Sequence, residues 1–322
     1  MLDCLTGSGG ALPDTAAVLE ASDPLGDDLQ LALYSCYELH YTSFEGVDPG
    51  WEWDPHLLEF RARIERRFSD ELDELVGPVG EVKPDGVGEL LFELAEADGA
   101  PSLSRYLQSS GTTEQFREFM IHRSAYQLKE ADPHTWAIPR LAGKPKAAMV
   151  EIQADEYGSG SAERMHARLF AEAMGAVGLD NHVGAYLDRI PGASLATVNL
   201  ISMLGLHGHR RGALVGHLAM FEITSPDPNR RYARALRRLG FDGRATEFYD
   251  EHVEADSVHE NVAAYDLAQG LAVTEPDLAA DIVFGARALL ALDGIAAARM
   301  LGSWDRGESS LLPGEAESIM PT

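Results

Sequence analysis

Cysteine is scarce in this chain: Cys4 and Cys36 are the two among 322 residues. Two early thiols build no disulfide framework and no cysteine-rich metal motif, and they leave everything beyond residue 37 without a thiol nucleophile. Cationic side chains are also few. There are 26 Lys and Arg against 52 Asp and Glu, giving a net charge of −26. An acidic surface repels nucleic acid and anionic membranes, so neither is an expected partner. No apolar run reaches the ~18 residues that span a bilayer. The first twenty residues hold no basic residue and no apolar h-region, so no signal peptide is expected and the expected location is the cytoplasm. The surplus of acids has two open explanations, solubility or carboxylates that bind cations.

What is present is an ordinary soluble composition, 45% hydrophobic and 24% charged. Apolar positions recur at three-to-four-residue spacing almost throughout. The pattern predicts helices near 28–44, 55–76, 89–97, 102–109, 113–131, 143–154, 160–177, 180–188, 193–205, 210–223, 227–239, 243–269 and 275–292. No segment alternates at period two for long enough to suggest a sheet. The expected fold class is therefore all-α. The expected organisation is an N-terminal helical extension over 1–110, a helical bundle over 111–305 and a tail over 306–322. The extension has two open roles, as a cover over the bundle and as a homodimer contact.

One stretch, "YDEHVEADSVHE" at 249–260, asks for chemistry. His252, Asp256 and His259 stand at i, i+4 and i+7, within about 60° of one another on a helical face. Imidazole and carboxylate on one face suit a transition metal with nitrogen and oxygen ligands. A second cluster, "DEYGSGSAERMH" at 155–166, puts Glu156, Glu163 and His166 on an arc of about 80° if one helix carries all three. Gly158 and Gly160 leave that continuity open. Glu130, ahead of Asp132-Pro133, ends another helix. Together these follow a recipe for dinuclear sites in bundles, in which two helices give a Glu each and two give an acid-x-x-His pair. The pairs are Glu163-x-x-His166 and Asp256-x-x-His259. With 52 acids and 11 histidines, about two such pairs arise by chance, so they carry little alone. The additional ligand types on the same faces, His252 and Glu156, carry more. Spacing leaves open both a metal site and two acidic helices with surface histidines.

Longer runs go further. "HRSAYQLKEADPHTWAIPRLAGKPKAAMVEIQADEYGSG", "RMHARLFAEAMGAVGLD" and "FYDEHVEADSVHENVA" resemble the haem-oxygenase-like di-iron oxidase superfamily of bacterial iron-containing redox enzymes. The resemblance covers roughly residues 28–305. It implies a haem-oxygenase-like bundle holding two non-haem irons, with Glu130, Glu156, His166, His252, Asp256 and His259 as ligands. It also implies dioxygen as cosubstrate, an external electron donor and an oxidant at the peroxo-diferric level. N-oxygenases in this superfamily carry a further carboxylate seven residues after the second-helix Glu, which here matches Glu163. The activity so implied is oxygenation of an amine of a small metabolite or amino acid to a hydroxylamine, nitroso or nitro product.

Metal-bound imidazoles need supporting partners, for which Asp155, Glu222 and Asp250 are candidates, each of them also readable as a plain surface acid. Arg123, Arg140 and the "HGHRRG" stretch are candidates to hold a substrate carboxylate. His207 and His209 read as loop residues, and His122 and His217 as packed core. Other readings stay open: desaturation or C–C cleavage of an amino or fatty acid, iron storage without an organic substrate, and a haem protein of the same fold.

Overall fold

The computed structural model of the protein describes residues 2–7, 12 and 22–314, without the side chains of residues 2, 3 and 254–258. The fold is all-α, and no strand occurs among the described residues. Its main helices are α1 (Asp27–Glu38), α2 (Pro55–Val76), α3 (Val87–Ala97), α4 (Leu103–Ser109), α5 (Thr113–Gln127) and α6 (Gly143–Glu156). They continue with α7 (His166–Ala176), α8 (Gly192–Leu206), α9 (Arg211–Thr224), α10 (Pro226–Arg238), α11 (Gly243–Asn261) and α12 (Ala279–Asp305).

Local chemistry sets many of these ends. The Asp54 carboxylate accepts from the backbone N–H groups of His56 and Leu57 at 2.9 and 3.0 Å, Pro55 opens α2, and Gly77 closes it at φ 65°. A reciprocal capping box between Thr112 and Gln115 starts α5. The expected helix over 180–188 does not form. The Asp180 carboxylate accepts from the N–H of His182 at 2.9 Å, a local turn that competes with helical bonding, and a short 3-10 turn comes next at Leu187–Arg189.

Two buried apolar clusters hold the helices. One joins α1, α2 and α3 to α8, α9 and α12 through Leu33, Phe68, Leu91, Leu200, Leu214 and Ile282. The other joins α4, α5, α7, α10 and α11 through Leu107, Phe116, Phe170, Leu236 and Phe248. Each such side chain contributes about 1.5–3 kcal/mol on burial. The crossing of α9 and α12 is close because glycine stands at both contacts. A Cβ on Gly216 would lie 1.8 Å from the Ile282 carbonyl oxygen, and one on Gly285 would lie 1.9 Å from that of Ala213.

Two backbone irregularities interrupt the regular helices. After α5 the chain reverses at Ala131, with φ 76°, and the adjacent Lys129 is buried in an ion pair with Glu38 of α1. The Lys129 ammonium also lies over the rings of Tyr34 and Tyr41, at 4.4 and 4.6 Å from their centroids. Further on, α11 passes directly into a π-helical stretch at Val262–Gln269. No helix among the described residues is long and apolar enough to cross a membrane.

Candidate metal centre

Six buried polar side chains from five segments converge between the two apolar clusters. Glu130 comes from the turn after α5, pinned by Lys129 on one side and by Gln153 Nε2 donating to the Ala131 carbonyl at 3.0 Å on the other. Glu156 is the last residue of α6, and His166 is the first of α7. Glu222 lies near the end of α9, in an otherwise apolar stretch. His252 and His259 lie on α11, seven residues and so about 10 Å apart along its axis. All six are at most 8% exposed.

Ligand atoms of Glu130, Glu156, His166 and His252 all lie within 4.8 Å of one another, and so do those of Glu156, Glu222 and His259. Glu156 belongs to both groups. Glu156 Oε2 approaches His166 Nδ1 to 2.9 Å, Glu130 Oε1 stands 3.6 Å from His252 Nε2, and Glu222 Oε2 stands 3.6 Å from His259 Nδ1. The imidazoles of His166 and His252 have their centroids 4.3 Å apart.

Hydrogen bonds on the far side of two rings fix which nitrogen faces the cluster. His252 Nδ1 donates to the Phe248 carbonyl at 2.8 Å, which turns the Nε2 lone pair toward Glu130. His259 Nε2 donates to the Asp155 carboxylate at 3.0 Å, which leaves Nδ1 for Glu222. Asp155 thus stands where a support for a metal-bound imidazole is expected.

The electrostatics are those of a site built for cations. Burial would raise the Glu156 carboxyl, but His166, His252 and His259 together hold it below its usual range. Burial and the nearby Glu156 push Glu222 up. Burial opposes the charge on His259, yet Glu222, Asp155 and Glu156 raise its pKa to about 9. Glu130 Oε2, Glu156 Oε2, Glu222 Oε2, His166 Nδ1 and His259 Nδ1 are all buried without a hydrogen-bond partner. Apart from the ion-pair contacts of Glu156 with His166 and of Glu222 with His259, these atoms have nothing to offset their desolvation, which is costly in a protein interior, whereas a metal ion would satisfy them together. Carboxylate and imidazole donors fit iron.

The other sequence candidates fall elsewhere. Glu163 is not brought to the cluster: it is exposed on a 3-10 turn, where its carboxylate accepts from Ser161 Oγ at 3.2 Å. The reason is local. The chain leaves α6 at Glu156 and breaks through Gly158 and Ser159, both in the left-handed region at φ 70° and 50°, so no single helix carries Glu156, Glu163 and His166. Asp256 is on α11, and its side chain is outside the described residues. Arg140 donates to the carbonyls of Gly205 and Leu206, closing the end of α8 instead of facing a substrate. Asp250 pairs with Arg237 at the surface. His207 pairs with Glu65 at 3.1 Å, and His209 lies on the 3-10 turn Gly208–Arg210. His122 bonds Ser194 and Ser310, and His217 bonds His134, all buried. Glu222, read from sequence as a support, sits among the ligand atoms themselves. An acid inside "ALVGHLAMFEIT" was its signal.

A cavity of about 230 Å³ reaches this cluster, with Glu130 and His252 on its inner wall. Arg123 also lines it, so this candidate for holding substrate stands on the approach to the centre.

A family model described as "iron-containing redox enzyme" matches residues 117–294, the span that holds all six clustered residues. The chain is 26% identical over 206 residues to a nitrosourea synthase of Streptomyces achromogenes subsp. streptozoticus. That alignment covers 63% of this chain and 44% of the relative, so the chain spans less than half of that protein's length.

Proposed function

The chain belongs to the iron-containing redox enzyme family, and on that premise we propose that it is a non-haem di-iron oxygenase acting on an amine nitrogen. The observation that carries the di-iron reading is the sharing of Glu156 between two ligand groups. A carboxylate that belongs to both groups would let two cations be held side by side in the bundle core. Glu130, His166 and His252 would complete one subsite. Glu222 and His259 would complete the other, with Asp256 by its motif. When bound, ferrous ions supply open coordination positions and electrons for dioxygen, which carboxylates and imidazoles cannot.

The protein's own part is to hold and orient. The Phe248 carbonyl keeps the proton of His252 on Nδ1, and Asp155 keeps that of His259 on Nε2, so each ring offers one fixed lone pair. The cavity brings a small molecule to Glu130 and His252 while its apolar wall, with Phe221 and Leu289, limits water. N-oxygenation is supported by the nitrosourea synthase likeness, since a nitroso group requires nitrogen oxidation. Its balance is amine plus dioxygen plus two electrons and two protons, giving hydroxylamine and water, with the electrons from an external reductant.

The test is anaerobic loading with Fe(II), metal counting, then exposure to dioxygen with a reductant and a panel of amines. About two irons per chain, amine-dependent oxygen uptake and a product heavier by one oxygen are expected. Two irons with no oxygenated product from any amine would favour iron handling, and less than one iron would end the di-iron reading.

A further inference from the structure

Resting on that reading, we propose that the arginine face of α10 docks the external reductant, an acidic protein that carries one electron at a time. The electrons then reach His252 through the rings packed beneath that helix.

The chain has twice as many acids as Lys and Arg, 52 against 26, yet the 13 residues of α10 hold five arginines and one acid, Asp227. Arg230, Arg231, Arg234, Arg237 and Arg238 fall within an arc of about 120° of the helix. The opposite side buries Asn229, Tyr232, Ala233 and Leu236. Few carboxylates pair with the stripe. Asp227 is shared by Arg230 and Arg231, and Asp250 pairs with Arg237. Arg238 donates to the carbonyls of Leu107, Gln108 and Gly111, contacts that leave its charge uncompensated. Arg234 is exposed and makes no hydrogen bond or ion pair among the described residues. On a chain of net charge −26, an acidic partner is repelled by most of the surface and drawn to this face, which steers its orientation.

What lies beneath the stripe points to an electron carrier as the partner. α10 packs on α11, the helix that bears His252 and His259. Tyr232, on the inner side of α10, has its ring centroid 5.7 Å from that of Tyr249. Tyr249 stands 5.1 Å from Phe248, and Phe248 stands 4.3 Å from His252. All four residues are buried. The rings form an unbroken packed line from the back of the arginine face to a residue of the metal cluster. Electron transfer weakens steeply with distance and with every unfilled gap, so contact packing favours this route. Each docking oxidises the carrier by one electron and reduces one ferric ion to ferrous. Two dockings supply the two electrons of the amine oxygenation balanced above.

The probe is a plant-type 2Fe–2S ferredoxin, a small acidic one-electron carrier. Calorimetry on the metal-free chain should show binding that weakens at least about tenfold between about 20 and about 200 mM salt. The double variant Arg230→Gln/Arg234→Gln should weaken it about tenfold at low salt. Arg66→Gln/Arg299→Gln removes the same charge from exposed positions on α2 and α12 and should leave binding within about twofold. In the Fe(III)-loaded chain, stopped flow should show reduced ferredoxin giving up its electron about tenfold more slowly to the α10 variant than to the unaltered protein. Dithionite, which needs no docking face, should reduce both at the same rate. Absence of ferredoxin binding at low salt would overturn the proposal. So would equal weakening by the two double variants, no weakening by the α10 variant, or binding without electron transfer to the loaded iron. Failure of amine oxygenation would leave the arginine-dependent binding standing in the metal-free chain. Oxygenation driven by a chemical reductant, with no ferredoxin binding, would sink the docking face alone.

Discussion

Removing the carboxylate of Glu222 distinguishes two accounts of how the second cation is held. If Glu222 and not Glu163 completes that subsite, Glu222→Gln should cut bound iron from about two per chain to about one, while Glu163→Gln leaves it unchanged; metal analysis after anaerobic loading reads this directly. Asp155 acts one bond further out, through His259 Nε2. Asp155→Asn should weaken metal affinity about 10–100-fold in chelator competition while preserving the fold, since the residue is half-exposed. Legibility at this scale was uneven. His252 and His259 were readable because a continuous helix preserves the i, i+7 relation through the side of α11. Glu163 stands apart from the cluster because residues 158 and 159 break the helix, the break that Gly158 and Gly160 had left open in the sequence. Glu222 was visible as a lone acid in an apolar run, but its partners come from α6 and α11, and no spacing within α9 could show them.

At the scale of elements, boundaries tracked local chemistry where that chemistry was strong. The expected and observed limits of α2 coincide because Asp54, Pro55 and Gly77 each leave one conformational choice. Near 180 the apolar spacing was right for a helix, but an Asp side chain captured a backbone N–H first. What the sequence did not display is how closely α9 and α12 approach. Gly285→Ala should therefore destabilise the protein by about 2 kcal/mol or more, since the new methyl meets a carbonyl that belongs to another helix and cannot rotate away. Urea unfolding measures the loss, and Gly307→Ala, at an open positive-φ turn, serves as a control for strain without crowding.

For the whole molecule, the all-α class was legible from periodicity alone, whereas the meeting of five segments at Glu156 was not, because it depends on packing across both apolar clusters. That meeting ties stability to pH and metal. In the metal-free chain His259 titrates above its ordinary 6.5, so its stabilising contribution is complete below about 6.5 and disappears as pH rises through about 9. Glu156 titrates below its ordinary 4.5, so its contribution is present above about 4.5 and lost as pH falls further. From these two groups the metal-free melting temperature should be highest between about pH 4.5 and 6.5. Metal binding runs the other way: it needs neutral imidazole, so affinity should rise with pH up to about 9, and calorimetry in buffers of differing ionisation heat should detect the proton released. The π-helical stretch at Val262–Gln269 has a consequence of another kind. Such a stretch accommodates about one surplus residue within a helix. When this chain is aligned with relatives whose last metal-bearing helix is regular, a one-residue gap belongs inside that helix and not in the loop after it. An alignment that forbids gaps in helices would put every position of the Val262–Gln269 stretch beyond the bulge out of step by one.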